Sequence, residues 1–285
     1  MLLDEELVLV KSFLAVITPT LVSSLGEPMM TILVRNEMAG KPIAMNLITY
    51  LLKQEILIQT SSTFLRENST ATHIMSGYLK IIGGQYLTET IMDHVVHIIN
   101  QSSNSQNIFE LRVDRVTEEE RRRNLENLKR IISEICNKIM SSNDLIPLPI
   151  RQISNLIAQF CSELFSENPL MMYTAIGGFL FLRFICPAII SPELFNLMPC
   201  ELSTTARSSL VLISRVLQLI ANQKCFDEKQ KDMMVLNDLM KEKIAEFRVW
   251  VHDLVNEDIS NKTHEPVFIS NSKYEAAIKN LFHKM

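Results

Sequence analysis

The sequence predicts an all-α fold, and three observations carry that expectation. Glycine is scarce, at 7 of 285 residues. Strand-length alternation of β-branched and polar residues is nearly missing. Apolar residues instead recur at steps of three and four, the spacing that lines one face of a helix. With 47% hydrophobic and 21% charged residues, the chain can bury a sizeable core. Its length allows one large domain or two ordinary ones, and the continuity of the helical pattern reads as one all-α domain over 1–285.

The elements follow in order. Helices are expected over about 2–17, 27–38, 43–58, 69–83 and 88–100. Between 118 and 141 a single stripe is formed by Leu125, Leu128, Ile131, Ile132, Ile135, Ile139 and Met140. Between 150 and 167 another runs through Ile150, Ile153, Leu156, Ile157, Phe160, Leu164 and Phe165. Further helices are expected over about 170–185, 203–222, 228–255 and 273–283, with Ser203 placed as an N-cap. Breaks fall at Thr18-Pro19, at Gly40-Lys41-Pro42, in the polar SSNSQN of 102–107 and in SSNDLIPLP of 141–149. The stretch IFELRV, 108–113, reads as a short extended piece. No internal repeat is evident.

Several function classes fall away. A net charge of −4 with no basic stripe argues against a nucleic-acid binder. Cys136, Cys161, Cys186, Cys200 and Cys225 are odd in number and form no CxxC pair, which fits plain thiols in a reducing compartment. The opening MLLDEELVLV carries acids where a signal peptide carries bases, so a cytoplasmic protein is expected and the sequons at Asn68, Asn100 and Asn261 are read as idle. The uncharged run Leu170 to Leu182 is 13 residues, too short to span a bilayer, and reads as a core helix. His94 and His97 share a helix face but lack a completing ligand set for a metal. No P-loop, GxSxG or HExxH is present.

Two arginines stand in unusual company. Arg183 lies in FLFLRFICPAIISP, 179–192, where its nearest charged neighbours in sequence are Glu167 and Glu193. Burying a guanidinium without partners costs several kcal/mol at least. Arg66 lies in a short polar break before a helix that Ser69 or Thr70 could cap. By itself Arg66 reads as a solvated loop arginine.

Three stretches around these residues together resemble the catalytic domain of the Ras GTPase-activating proteins. The family's L-F-R-x-N-[ST]-x-A-[ST] loop has its counterpart in Phe64-Leu65-Arg66-Glu67-Asn68-Ser69-Thr70-Ala71-Thr72. Its F-L-R-[FL]-I-x-P-A-[IL]-x-x-P block stands intact from Phe181 to Pro192. Its S-[KR]-[IV]-L-Q-x-[IL]-A-N block is Ser214 to Asn222, and Asn237-Asp238 also fits. Order and spacing agree, and the overall pattern is neurofibromin-like. The resemblance covers about 45–241 well, with 1–44 and 242–285 similar in helical character only.

The resemblance implies a single elongated helical domain that stimulates GTP hydrolysis by Ras-family GTPases, a negative regulator of Ras signalling. It makes Arg66 the arginine finger and Arg183 the brace that hydrogen-bonds the finger-loop carbonyls. Leu65, Glu67, Asn68 and Ser69 complete the finger loop. Leu182, Arg215, Gln218 and Asn222 become partner-binding residues, with Arg215 in place of a family lysine that pairs with an acid on the GTPase. GTP and Mg²⁺ would arrive with the partner, so no cofactor of its own is expected. A monomer acting at the inner face of membranes is expected. Three departures bear on efficiency and partner choice. Phe64-Leu65 reverses the usual Leu-Phe, Glu67 follows the finger where glycine stands in the neurofibromin pattern, and Val211 replaces a lysine. The alternative is a module of the same fold that binds GTPases with little or no catalysis.

Overall fold

The computed structural model describes residues 7–16, 19–37, 42–58, 63–102, 108–198, 202–259 and 267–284, and the structural statements concern these. Thr18, Gly40, Lys41, residues 103–107, Cys200 and Asn261 lie outside them. Among the described residues there are helices, turns and irregular segments but no strand. The α-helices are α1 (Val8–Val16), α2 (Pro19–Asn36), α3 (Ile43–Ile58), α4 (Thr70–Ile82), α5 (Gly84–Thr90), α6 (Met92–Ser102) and α7 (Glu118–Met140). They continue as α8 (Leu148–Leu164), α9 (Met171–Gly177), α10 (Cys186–Ile190), α11 (Thr204–Ala221), α12 (Asn237–Asn256) and α13 (Asn271–Lys284).

The all-α expectation holds, and the departures from it have local causes. Helix α2 starts at Pro19, not near residue 27, and runs through Gly26 and Pro28. Pro19 suits a first helical position, where no N–H is needed. Gly26 is a contact and not a break. A Cβ there would lie 2.9 Å from the His73 carbonyl oxygen, and one on Gly77 would lie 2.7 Å from the Glu27 nitrogen. Helices α2 and α4 therefore touch backbone to backbone.

The helix expected over 88–100 is two, α5 and α6. The break is slight, since Ile91 still donates to the Leu87 carbonyl (2.9 Å) and accepts from Val95 (3.0 Å). The extended piece at 108–113 is not a strand. Its backbone is satisfied by side chains of α7: Asn124 Nδ2 donates to the Glu110 carbonyl at 3.0 Å and Arg121 Nε to that of Leu111 at 3.1 Å. The helix expected over 228–255 is a 3₁₀ stretch, Glu228–Leu236, broken at Gln230 and followed by α12. The side chain of Asn237 fixes that junction by bonding both N–H and C=O of Phe226, each at 3.0 Å.

The segment expected over 170–185 continues to Ile190. Between α9 and α10 it is π-helical, Gly178–Ile185, with the Cys186 N–H reaching back to the Phe181 carbonyl. This wider turn lets the chain pass Pro187, which cannot donate, without ending the helix. The continuous stretch Met171–Ile190 has a mean hydropathy of 1.7 and would by length and composition span a membrane, but 67% of it is buried inside the protein. Its apolar side chains are core.

The chain groups into two compact units: one of Met1–Gly84, Pro147–Ala175 and Asp258–Met285, the other of Gln85–Ile146 and Ile176–Glu257. In the first, α2 packs on α4, α3 and α13, and α3 packs on α8. Leu25 and Ile32 of α2 meet Ala277 and Leu281 of α13 in one apolar cluster. In the second, α11 is central and packs on α6, α7, α10, α12 and the π-helical stretch. Phe181, Phe247 and Trp250 form an aromatic cluster there, with centroids 5.5–6.3 Å apart and the Phe181 ring edge-on to the other two.

Candidate functional site

In the first unit the residues before α4 form a tight turn. The amide N–H groups of Arg66 and Glu67 both donate to the Thr63 carbonyl, at 2.9 and 3.3 Å. Leu65, at the bend, has φ of 59°, a left-handed conformation that costs a leucine roughly 1–2 kcal/mol. Leu65 and Phe64 are both fully buried (0% exposed), and Phe64 meets the ring of Phe165 at 6.2 Å. Burying one such side chain stabilises by about 1.5–3 kcal/mol, so burial outweighs the strain. The reversed Phe-Leu order therefore still supplies two apolar anchors. Arg66 follows them half-exposed, and Glu67 and Asn68 are exposed beyond it.

The far side of the turn is tied down by polar groups. Ser69 is the N-cap of α4, in a capping box with Thr72. The Ser69 hydroxyl donates to Glu55 Oε1 at 2.8 Å and accepts from the Thr72 N–H at 3.2 Å. Thr72 Oγ1 accepts from the Ser69 N–H at 2.9 Å and lies 3.0 Å from the Glu67 and Ser69 carbonyl oxygens. Glu55 is only 3% exposed and Thr72 is fully buried. In the sequence Thr72 stands only as the last residue of the loop motif, and neither Glu55 nor the left-handed Leu65 is marked. A capping signal S-x-x-T was legible at Ser69; nothing in the pattern of α3 marked Glu55.

The other expected residues gather in the second unit. Leu182 and Arg183 lie in the π-helical stretch, a feature frequent at functional sites. Both are half-buried, with Arg183 Nε shielded from solvent. The guanidinium of Arg183 is thus only partly enclosed. A Cβ on Gly177 would overlap the Ala221 carbonyl, so the helix bearing Arg183 and the end of α11 approach as closely as backbones can.

On α11, Arg215 is exposed with its guanidinium 5.9 Å from the centre of the Phe226 ring, and Val211 is 45% exposed. Gln218 is half-buried, and the pKa of the Cys186 thiol is raised chiefly by burial, with the Gln218 side chain lowering it. The same thiol contacts the Ser214 carbonyl at 3.6 Å. Asn222 ends the helix by donating its N–H to the Gln218 carbonyl at 2.9 Å, and its side-chain oxygen is buried without a hydrogen bond. Arg215 therefore meets solvent, while Gln218 and Asn222 are half-buried.

Arg66 and the 65–69 turn thus belong to one unit and Leu182, Arg183, Arg215, Gln218 and Asn222 to the other.

Comparison with known proteins adds the family. Residues 101–222 match the family described as GTPase-activator protein for Ras-like GTPase. The turn at 63–69 lies before that match. The chain is 34% identical over 190 residues to the probable Ras GTPase-activating-like protein ngap of Dictyostelium discoideum, covering 65% of this chain and 21% of that protein. It is 26% identical over 196 residues to human Ras GTPase-activating protein 1, covering 69% of this chain and 18% of the relative. It is 28% identical over 236 residues to Neurofibromin-A of Dictyostelium discoideum, covering 76% of this chain and 25% of the relative. The chain spans only about a fifth to a quarter of the length of these curated relatives. Residues 101–222 of this chain are thus similar to the GTPase-activator domains for Ras-like GTPases.

Proposed function

We propose that this chain stimulates GTP hydrolysis by a GTP-bound Ras-family GTPase, with Arg66 as the arginine finger. The observation that carries the reading is the turn at 63–69: a half-exposed arginine follows two fully buried anchors and precedes a capped helix. A guanidinium is always charged and can fork to two phosphate oxygens. During hydrolysis negative charge builds on the phosphates, and a cation placed there in advance lowers the barrier. In this reaction class an arginine supplied in trans is worth roughly 10³–10⁵ in rate. The carbonyl of the finger loop would steady the partner's own catalytic glutamine.

In this reading Arg183 braces the finger loop, Leu182 floors the site, and Arg215 pairs with an acid on the partner, with Gln218 and Asn222 shaping the contact. GTP and Mg²⁺ belong to the GTPase. The setting is the cytoplasm at the inner face of membranes, where the chain acts as a monomer that lowers Ras signalling. The alternative is a binding module of the same fold with little or no catalysis, and Arg66 is the residue that discriminates the two. Single-turnover GTP hydrolysis with a small panel of Ras-like GTPases separates the two. Arg66→Ala should remove most of the stimulation while binding to the GTP-analogue-loaded partner is kept. Equal stimulation by variant and wild type would sink the finger assignment.

A further inference from the structure

We infer that Glu55, on α3, is a positioning residue for the finger turn. The inference rests on the reading of Arg66 as the finger. Glu55 is 3% exposed and its Oε1 accepts the Ser69 hydroxyl at 2.8 Å. Ser69 has one hydroxyl proton and two neighbours that could take it, the Glu55 carboxylate and Thr72 Oγ1 at 3.3 Å. The Glu55 oxygen is the closer acceptor, so the Ser69 hydroxyl proton points to it.

The network continues from Ser69 through Thr72 to the turn. Ser69 Oγ is left as an acceptor for the Thr72 N–H, and Thr72 Oγ1 takes the Ser69 N–H. The one proton on Thr72 Oγ1 then points to the carbonyl oxygens of Glu67 and Ser69, each at 3.0 Å. Thr63 already holds the amides of Arg66 and Glu67 from the other side. The peptide units on both sides of Arg66 are thereby fixed by groups of the same unit. A finger ordered before the partner arrives loses no rate to its own disorder.

The test uses Glu55→Ala, Glu55→Gln and Thr72→Val, each with and without Arg66→Ala. Stimulated hydrolysis gives kcat and KM, affinity for a Ras-like GTPase loaded with a GTP analogue gives Kd, and thermal unfolding gives Tm. Glu55→Ala and Thr72→Val should lower kcat on the order of tenfold to a hundredfold. Their KM and Kd should stay within roughly twofold, the pattern of an interaction that matters in the transition state. Glu55→Gln keeps an acceptor oxygen and should retain most of the kcat. In the Arg66→Ala background, Glu55→Ala should change the rate no further.

A folded Glu55→Ala with wild-type kcat would overturn the inference, as would a kcat loss that persists undiminished without Arg66. If Glu55→Ala fails to fold, Thr72→Val decides, and wild-type kcat in that variant also overturns it. Wild-type stimulation by Arg66→Ala alone would instead remove the finger reading on which this one rests.

Discussion

The turn that carries Arg66 and the helix that carries Arg183 are secured by different kinds of force. Around Arg66 two apolar anchors, Phe64 and Leu65, hold one side, and a chain of short polar contacts through Glu55, Ser69 and Thr72 holds the other. The helix around Arg183 is packed chiefly through apolar side chains. Phe179, Leu180, Phe181, Phe184 and Ile185 are at most 3% exposed, and the ring of Phe184 stacks with that of Tyr86 at 6.2 Å. Polar contacts are directional, so they can fix the orientation of a peptide group. Apolar packing is not, but it accumulates more stability per residue. The turn suits the task of aiming a side chain, and the helix suits the task of carrying a fixed scaffold.

Disrupting the packed helix tests this contrast with the largest expected loss of stability. Phe181→Ala removes a ring that is 1% exposed and packs against Phe247 and Trp250. It should cost about 3–5 kcal/mol in denaturant unfolding. A cost below about 1 kcal/mol, the size typical of one hydrogen bond, would mean that packing does not dominate there.

A smaller effect is expected where α11 meets solvent. Arg215→Glu should leave the fold nearly intact, since a guanidinium over an aromatic ring, as Arg215 lies over Phe226, is worth only about 0.5–1 kcal/mol at exposed sites. Its affinity for a GTP-loaded partner should fall roughly tenfold or more at low salt, because like charges would then face each other. Unchanged affinity at low salt would remove Arg215 from the interface with the partner.

Chemical labelling provides the mildest probe. Burial pushes the thiols of Cys136 and Cys161 up to about 12 and raises that of Cys186 as well. Cys225 is half-exposed. Under native conditions at neutral pH, a thiol reagent mapped by mass spectrometry should modify Cys225 well before Cys136 or Cys186. Early labelling of Cys186 would show that the core beside Gln218 opens more readily than its packing implies.

Legibility followed the same division. The periodic stripes of α7, α8 and α11 could be read directly, because each helix buries one face and the 3.6-residue period repeats. Pro187 inside a helix could not be read, because the π-type turn that accommodates it depends on bonds and not on residue pattern. Gly26 resembles a stop in sequence for the same reason: its role comes from α4 lying against it. Gln218 and Asn222 lie on a face that spacing alone cannot divide into solvent and core.

By itself the sequence determined the helical class, most helix positions, the N-cap at Ser203, a cap of α4 at either Ser69 or Thr70, and the motifs that resemble the family. These depend on neighbours within a turn or two, where side-chain type and spacing are sufficient. Only the tertiary structure decided that Leu65 turns left-handed and buried, that Glu55 reaches Ser69, and that glycines 26, 77 and 177 mark backbone contacts. Each of these joins residues distant in sequence or sets burial against local strain, and such balances exist only once the helices have packed.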